Sequence, residues 1–157
     1  MIVKQILDED IVDYKKTSML IAFPSCTFKC EKECGRHLCH NTPLLGTPSI
    51  DIPVHIVINR YMNNPITSAV VCAGLEPMDS WLDLKDFVSQ FRQRCDDDIV
   101  IYTGYTEEEI IDQIMWLKLF KNIVVKFGRF IPDNSPHYDD VLGVNLASDN
   151  QYGKRIS

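Results

Sequence analysis

The sequence predicts a single α/β domain whose parallel sheet forms an open or partial (β/α) barrel. Short apolar segments alternate with longer amphipathic segments, which is typical of βαβ units. A proline or glycine follows each of the main apolar segments, as expected where strands end. The chain has 157 residues, whereas a closed eight-stranded barrel needs about 250. We therefore expect one domain over residues 1–157, with a polar loop at 24–48 and a C-terminal cap at 132–157.

Four apolar segments are predicted to be buried strands of this sheet. They span residues 18–23, 66–73, 98–103 and 123–127. Functional residues of parallel sheets lie in the loops that leave the carboxyl ends of the strands. Three segments occupy such places, namely the cysteine-rich loop, Gly74 to Pro77, and the chain from Gly128 onward. The site is therefore predicted at this edge of the sheet.

Three helices are predicted between the strands, over residues 51–62, 79–92 and 106–119. The first shows apolar residues at helical spacing, at Val54, Val57, Ile58 and Tyr61. Asp51 is expected to cap this helix, with Pro53 in its first turn. Thr106 and Glu109 have the spacing of a capping box. The tail at 132–157 is predicted to be mostly irregular.

Charge and composition exclude some classes of function. The net charge is −6, so the protein lacks the basic surface that binds a nucleic-acid backbone. Acidic residues in Met1–Asp10 stand where a signal peptide has an apolar run. Apolar stretches such as Met19–Phe23 are too short to span a bilayer. We therefore expect a cytoplasmic protein that binds neither nucleic acid nor membrane.

Cysteines are concentrated in one loop. Four of the six, Cys26, Cys30, Cys34 and Cys39, lie close together. Thiolates are soft ligands that suit zinc or an iron–sulfur cluster. Spacing alone leaves both open, with His37 or His40 as substitute ligands for zinc. Cys72 is predicted to be a small apolar residue of a buried strand, and Cys95 is assigned no function.

The loop resembles that of radical S-adenosylmethionine activating enzymes, which carry C-x3-C-x2-C after their first strand. Cys26-x3-Cys30 matches the first half of that motif, and Cys39-His40-Asn41 resembles the family's ending. The resemblance implies that Cys26, Cys30 and Cys39 are the ligands, in a C-x3-C-x8-C register. The alternative register uses Cys34 as the third ligand. Neither spacing is the family standard.

The segment after the second strand resembles the family's Gly-Gly-Glu-Pro motif, whose backbone binds the methionine amino group of the cofactor. Gly74, Glu76 and Pro77 match, while Leu75 replaces the second glycine. This replacement requires a negative φ at Leu75, since leucine is strained at positive φ.

Later segments resemble activators of anaerobic ribonucleotide reductase. These are Tyr102-Thr-Gly-Tyr105, the strand containing Lys126, and Ser148-Asp-Asn150-Gln. A lysine on a buried strand must reach a partner, so Lys126 is expected to approach either the cofactor carboxylate or an aspartate. Arg129 is predicted at the surface. The implied cofactor-binding residues are Gly74, Leu75, Glu76, Tyr102, Lys126, Ser148 and Asn150.

The resemblance runs in order from Ser18 to Gln151 and implies a radical S-adenosylmethionine enzyme with a [4Fe-4S] cluster. Three thiolate ligands would leave one iron open for S-adenosylmethionine, and no catalytic side chain beyond the ligands is implied. The implied partners are a glycyl radical enzyme, such as anaerobic (class III) ribonucleotide reductase, and reduced flavodoxin or ferredoxin as electron donor. Alternatives are a zinc-stabilised binding module without catalysis and a radical enzyme acting on another substrate.

Overall fold

A six-stranded sheet forms the centre of the computed structural model, which describes residues 1–157. The strands are β1 (Ile2–Val3), β2 (Gln5–Asp10), β3 (Ser18–Phe23), β4 (Ile50–Asp51), β5 (Ala69–Gly74), β6 (Asp98–Tyr102), β7 (Ile123–Phe127), β8 (His137–Asp139), β9 (Val144–Leu146) and β10 (Tyr152–Arg155). The helices are α1 (Lys29–Cys34), α2 (Thr42–Leu45), α3 (Val54–Met62), α4 (Trp81–Arg92) and α5 (Ile111–Leu117). Short 3₁₀ turns at Pro77–Ser80 and Glu108–Ile110 precede α4 and α5.

The strand order of the central sheet is β10-β7-β6-β5-β3-β2. The four inner strands β3, β5, β6 and β7 are parallel, and the two edge strands are antiparallel to their neighbours. β3 and β5 pair along their whole length, from Ser18 opposite Ala69 to Phe23 opposite Gly74. The sheet is open, because β2 and β10 do not pair with each other. The parallel order places the ends of β3, β5, β6 and β7 side by side.

The two faces of the sheet are covered differently. Helices α3, α4 and α5 bury one face in the main core, together with Ile21, Cys72, Ile101 and Val125. Alternate strand residues point to the other face, where Ala69, Val71, Val100 and Val124 form a smaller cluster with Tyr14, Leu142 and Leu146. No residue of α3, α4 or α5 belongs to this cluster. The side chains nearest the carboxyl ends are therefore left beside open space.

Strand prediction succeeded best where apolar runs are short and sharply bounded. The predicted strands at 18–23 and 123–127 are confirmed at both ends. The other two exist with shifted bounds, at Ala69–Gly74 and Asp98–Tyr102. The apolar pattern of the sequence indicates that a strand is present. Hydrogen bonding to the neighbouring strand decides at which residues it begins and ends.

The helix starts were predicted less well. The expected Asp51 cap was wrong, because Pro53 is the N-cap of α3 and Asp51 pairs with Ile2 in a short strand. The capping box is confirmed: the Thr106 N–H donates to Glu109 Oε2 at 2.9 Å, and the Glu109 N–H donates to Thr106 Oγ1 at 3.4 Å.

Most of the tail lies outside regular elements, as predicted, but the sequence analysis did not predict the strands within it. Three strands form between residues 132 and 157, and β10 completes the sheet beside β7. Buried Asp139 holds this segment together, because its carboxylate accepts the N–H groups of Leu142 and Gly153, each at 2.8 Å. β10 is mostly exposed and polar, so no alternating apolar pattern marks it in the sequence. None of the helices combines the length and apolar character needed to cross a bilayer.

Candidate functional site

A cavity of about 460 Å³ lies at the carboxyl ends of the parallel strands, on the face opposite helices α3, α4 and α5. Each inner strand contributes a wall residue: Leu20 and Ala22 from β3, Ala73 from β5, Tyr102 from β6 and Lys126 from β7. Their side chains point to the same face of the sheet as those of the smaller core cluster. The cavity forms on this face because alternate strand side chains point to it, while helices α3, α4 and α5 pack on the other face.

Three of the four clustered cysteines line this cavity. They are Cys26, Cys30 and Cys39, whereas Cys34 lines a neighbouring cavity. The Cys34 thiol lies within hydrogen-bond distance of two carbonyls of its own loop, Glu31 O at 3.6 Å and Arg36 O at 3.5 Å. None of the six cysteines forms a disulfide. The fold thus groups the three cysteines of the C-x3-C-x8-C register.

The three thiols share a wall without converging on one point. No group of three or more His, Cys, Asp or Glu side chains is arranged as ligands of a metal ion. Burial raises the pKa of Cys26 to about 11, although the Phe28 N–H donated to its sulfur lowers it. Burial also raises the pKa of Cys30, and the nearby Cys39 contributes to that rise. Metal coordination would have to deprotonate these thiols.

Glu31 places Cys39 against the cavity. Its carboxylate oxygen Oε1 accepts the backbone N–H groups of Leu38 and Cys39, each at 3.1 Å. These bonds hold the pKa of Glu31 below its usual value. The chain after α1 is thereby folded back toward the start of the loop, which brings Cys39 to the cavity that Cys30 lines.

The His40-Asn41 pair also has a structural role. The Asn41 side-chain amide donates to the Gly74 carbonyl at 2.6 Å, which joins the cysteine loop to the end of β5. The His40 ring packs against Phe130, with ring centroids 4.6 Å apart. The two residues after Cys39 therefore fasten the loop to two different parts of the cavity wall.

Gly74 is required by the close approach of β3. Its φ is +94°, and a Cβ there would lie 2.7 Å from Ala22 Cα and 2.8 Å from the Phe23 nitrogen. The expected conformation of Leu75 is confirmed, because it is not among the non-glycine residues with positive φ. Gly74 and Leu75 both line the cavity.

Glu76 links two strand ends. It is only 5% exposed, and its carboxylate accepts the Met78 N–H at 3.0 Å and the Gly104 N–H at 2.8 Å. Burial raises the pKa of Glu76 to about 7, although these N–H groups and the Thr103 hydroxyl oppose the rise. Glu76 therefore fixes the turn after β5 to the turn after β6.

Lys126 enters the cavity wall from β7 without an acidic partner in contact. It is 7% exposed, and its ammonium donates to the Gly128 carbonyl at 2.8 Å. Burial lowers the pKa of Lys126 to about 8, opposed by the charges of Glu76 and Cys30. The Lys126 Nζ lies 6.0 Å from the ring centre of Tyr102. The cavity therefore carries a buried amine beside its cysteines.

Two of the predicted cofactor-binding residues lie outside the cavity lining. Ser148 is buried and its hydroxyl oxygen accepts the Ile131 N–H at 3.3 Å, while the Asn150 amide donates to the Arg129 carbonyl at 2.8 Å. Neither lines the cavity, whereas Gln151 does. Ser148 and Asn150 attach the C-terminal segment to the chain that follows β7.

Sequence reasoning missed several wall residues. Arg129 was predicted at the surface, but its side chain is only 12% exposed and lines the cavity. It pairs with Glu109 at 2.6 Å and Glu33 at 3.3 Å. Lys29 also pairs with Glu109, at 3.3 Å. The signal available in the sequence was the position of a basic residue just after a strand end. Asp13 also lines the cavity, and nothing in its local sequence indicates that.

Comparison with known proteins agrees with the donor set of this cavity. No curated protein and no solved structure matches the chain. A family model described as a 4Fe-4S single cluster domain matches residues 17–145, a range that includes the whole cysteine loop and all four parallel strands. That match covers most of the chain, so the chain belongs to the 4Fe-4S single cluster domain family and is an iron–sulfur protein.

Proposed function

We propose that this protein is a radical S-adenosylmethionine enzyme that installs a glycyl radical on a partner enzyme. One observation carries the proposal: the three thiols of Cys26, Cys30 and Cys39 share a cavity with the Gly74–Glu76 turn and the buried amine of Lys126. These are the groups that the family resemblance assigns to the cluster and to the amino-acid end of the cofactor. They come from three separate segments of the chain.

The donor set fits a [4Fe-4S] cluster held by Cys26, Cys30 and Cys39. Thiolates are the usual ligands of such clusters, and three of them leave one iron open. When bound, the cluster with S-adenosylmethionine supplies one-electron cleavage of the sulfonium C–S bond, which yields a 5′-deoxyadenosyl radical. The protein positions the reactants and limits the access of water. The family match names iron and sulfur, so it does not favour the zinc-stabilised alternative.

The polar groups of the cavity suit the amino-acid end of S-adenosylmethionine. We assign the cofactor carboxylate to Lys126, whose amine makes one hydrogen bond in this structure, to the Gly128 carbonyl. A carboxylate beside it would favour the charged form of Lys126 and so counteract the effect of burial on its pKa. The cofactor amino group is assigned to the turn of Gly74, Leu75 and Glu76, with the Tyr102 ring as an apolar wall.

Ser148 and Asn150 are assigned an indirect role in cofactor binding. They hold the chain at 129–131 against the C-terminal segment, and Gln151 from that segment reaches the cavity. The Gln151 side-chain amide donates to the Gly128 carbonyl at 3.3 Å, the same carbonyl that receives Lys126. These residues therefore position Lys126 through Gly128.

The proposed partner is a glycyl radical enzyme, with anaerobic ribonucleotide reductase as the favoured example. A glycine loop of the partner would dock at the cavity beside the carboxyl ends of the strands. Reduced flavodoxin or ferredoxin is the proposed electron donor, and the cytoplasm the proposed location. A radical enzyme acting on another substrate is the alternative within the same chemistry.

The experiment starts from protein purified without oxygen and reconstituted with iron and sulfide. We expect about four irons and four sulfides per chain, with the visible absorption of a cluster. Under dithionite, the protein should convert S-adenosylmethionine to 5′-deoxyadenosine and methionine, measured by chromatography. A glycyl radical signal should appear by electron paramagnetic resonance when the partner enzyme is added. Stoichiometric zinc without iron uptake, or a loaded cluster that never binds or cleaves S-adenosylmethionine, would contradict the proposal.

A further inference from the structure

The connection between β2 and β3 crosses the face of the sheet opposite α3, α4 and α5 and reaches the cavity. Tyr14 belongs there to the same apolar cluster as Val71 and Val100, and the Lys15 N–H donates to the Leu142 carbonyl at 2.8 Å. The Tyr102 hydroxyl donates to the Asp13 backbone carbonyl. This hydrogen bond to its backbone carbonyl holds Asp13 at the cavity wall.

The Asp13 carboxylate has no partner within the protein. No hydrogen bond or ion pair involves its side chain, and its oxygens are not among the buried unpaired atoms, so they remain accessible. Burial raises the pKa of Asp13 to about 6, and the neighbouring charge of Asp10 adds to the rise. At neutral pH the cavity wall therefore presents a partly buried carboxylate with free acceptor oxygens.

Asp13 lies away from the cysteines within this cavity. The connection that carries Asp13 leaves β2 opposite Ser18, at the start of β3, whereas the cysteine loop follows Phe23 at the end of β3. Tyr102 lies between the two groups, with its hydroxyl at the Asp13 backbone and its ring 6.0 Å from the Lys126 amine. The cavity therefore has a basic, cysteine-lined end and an acidic end.

We infer that the Asp13 carboxylate binds the ribose hydroxyls of the adenosyl group. This inference rests on the proposed function, which places the amino-acid end of the cofactor at Lys126 and the cysteines. The nucleoside then extends toward the opposite end. Vicinal ribose hydroxyls are donors, and carboxylates are their usual acceptors in nucleotide sites. The Asp13 oxygens are the free acceptors available there.

The test is equilibrium binding to the reconstituted protein under anaerobic conditions, measured by calorimetry. The probes are S-adenosylhomocysteine and its 2′,3′-dideoxy analogue, which lacks both ribose hydroxyls. The wild type should bind the hydroxylated probe at least about tenfold more tightly, as a hydrogen bond to a charged group predicts. Asp13→Ala should lose most of this preference by weakening only the hydroxylated probe. Asp13→Asn, which preserves the side-chain shape, should reduce the preference in the same direction.

The matched control is Glu9→Gln, which removes an exposed acid of the same hairpin that does not line the cavity. It should leave both affinities unchanged. Equal weakening of both probes by Asp13→Ala, or an unchanged preference in both Asp13 variants, would overturn the inference while the proposed function stood. Failure of the loaded wild-type protein to bind either probe would overturn the proposed function itself.

Discussion

Glu76 and Gly104 are joined by a 2.8 Å hydrogen bond from the Gly104 N–H to the Glu76 carboxylate. The two residues lie 28 positions apart and follow adjacent strands. A second bond, from the Met78 N–H, satisfies the other oxygen of the same carboxylate. Glu76 therefore stabilises the rim of the cavity by holding two strand-end turns together.

Glu76→Ala should lower the free energy of unfolding by about 2–4 kcal/mol, because one buried and one partly buried N–H group lose their acceptor. The cluster should remain, since Glu76 is not a proposed ligand, while binding of S-adenosylmethionine should weaken. Urea unfolding followed by circular dichroism, with iron content measured beside it, checks both expectations. Glu76→Gln keeps one acceptor oxygen and should lose less stability. An alanine variant as stable as the wild type would show that the two hydrogen bonds contribute nothing.

The same carboxyl should make stability depend on pH. Burial raises the pKa of Glu76 to about 7 in the folded protein, above the ordinary value of 4.5. Between these values the folded state binds more protons than the unfolded state, so its stabilising contribution is full below pH 4.5 and is lost as the pH rises through 7. The contribution lost is up to about 3 kcal/mol.

Glu76→Gln cannot titrate, so it isolates this contribution from those of other groups. The wild type should lose stability relative to Glu76→Gln between pH 4.5 and 7, measured by urea unfolding at each pH. A difference between the two proteins that stays constant across this range would show that the pKa of Glu76 is not raised.

Gly74→Ala should destabilise the protein by more than about 2 kcal/mol, because it combines a positive φ with a collision against the β3 backbone. It should also disturb the Asn41 bond to the Gly74 carbonyl and reduce cluster retention. Gly35→Ala is the matched control, since Gly35 has φ +66° but nothing within 4 Å of the added Cβ. That control should cost only about 1 kcal/mol. Equal costs for the two variants would remove the close approach of β3 as the cause.

Alanine variants of the cysteines should separate the two possible ligand registers. Cys26→Ala, Cys30→Ala and Cys39→Ala should each abolish the cluster, because these three thiols share the cavity. Cys34→Ala should keep it, because that thiol lies at the neighbouring cavity. Iron, sulfide and visible absorption of the reconstituted variants give the result. Loss of the cluster in Cys34→Ala with retention in Cys39→Ala would establish the other register.

The sequence by itself determined the features that depend on local patterns. The runs at 18–23 and 123–127 predict buried strands because they are short, continuously apolar and followed by a proline or glycine. The capping box of Thr106 and Glu109 is a local exchange of hydrogen bonds and was equally readable. The soft ligands of the cysteine loop predicted iron–sulfur or zinc chemistry, and the family match supports the former.

Only the tertiary structure decided which groups meet. The Glu31 bond to the Cys39 N–H and the Asn41 bond to Gly74 bring Cys39 to the same cavity as Cys26, and cysteine spacing alone could not reveal those contacts. β10 forms because β7 offers an unpaired edge, although its own residues lack an alternating apolar pattern. Asp13 reaches the cavity because its connection crosses the face opposite α3, α4 and α5. These placements depend on pairings between distant segments, and periodicity within a segment carries no information about them.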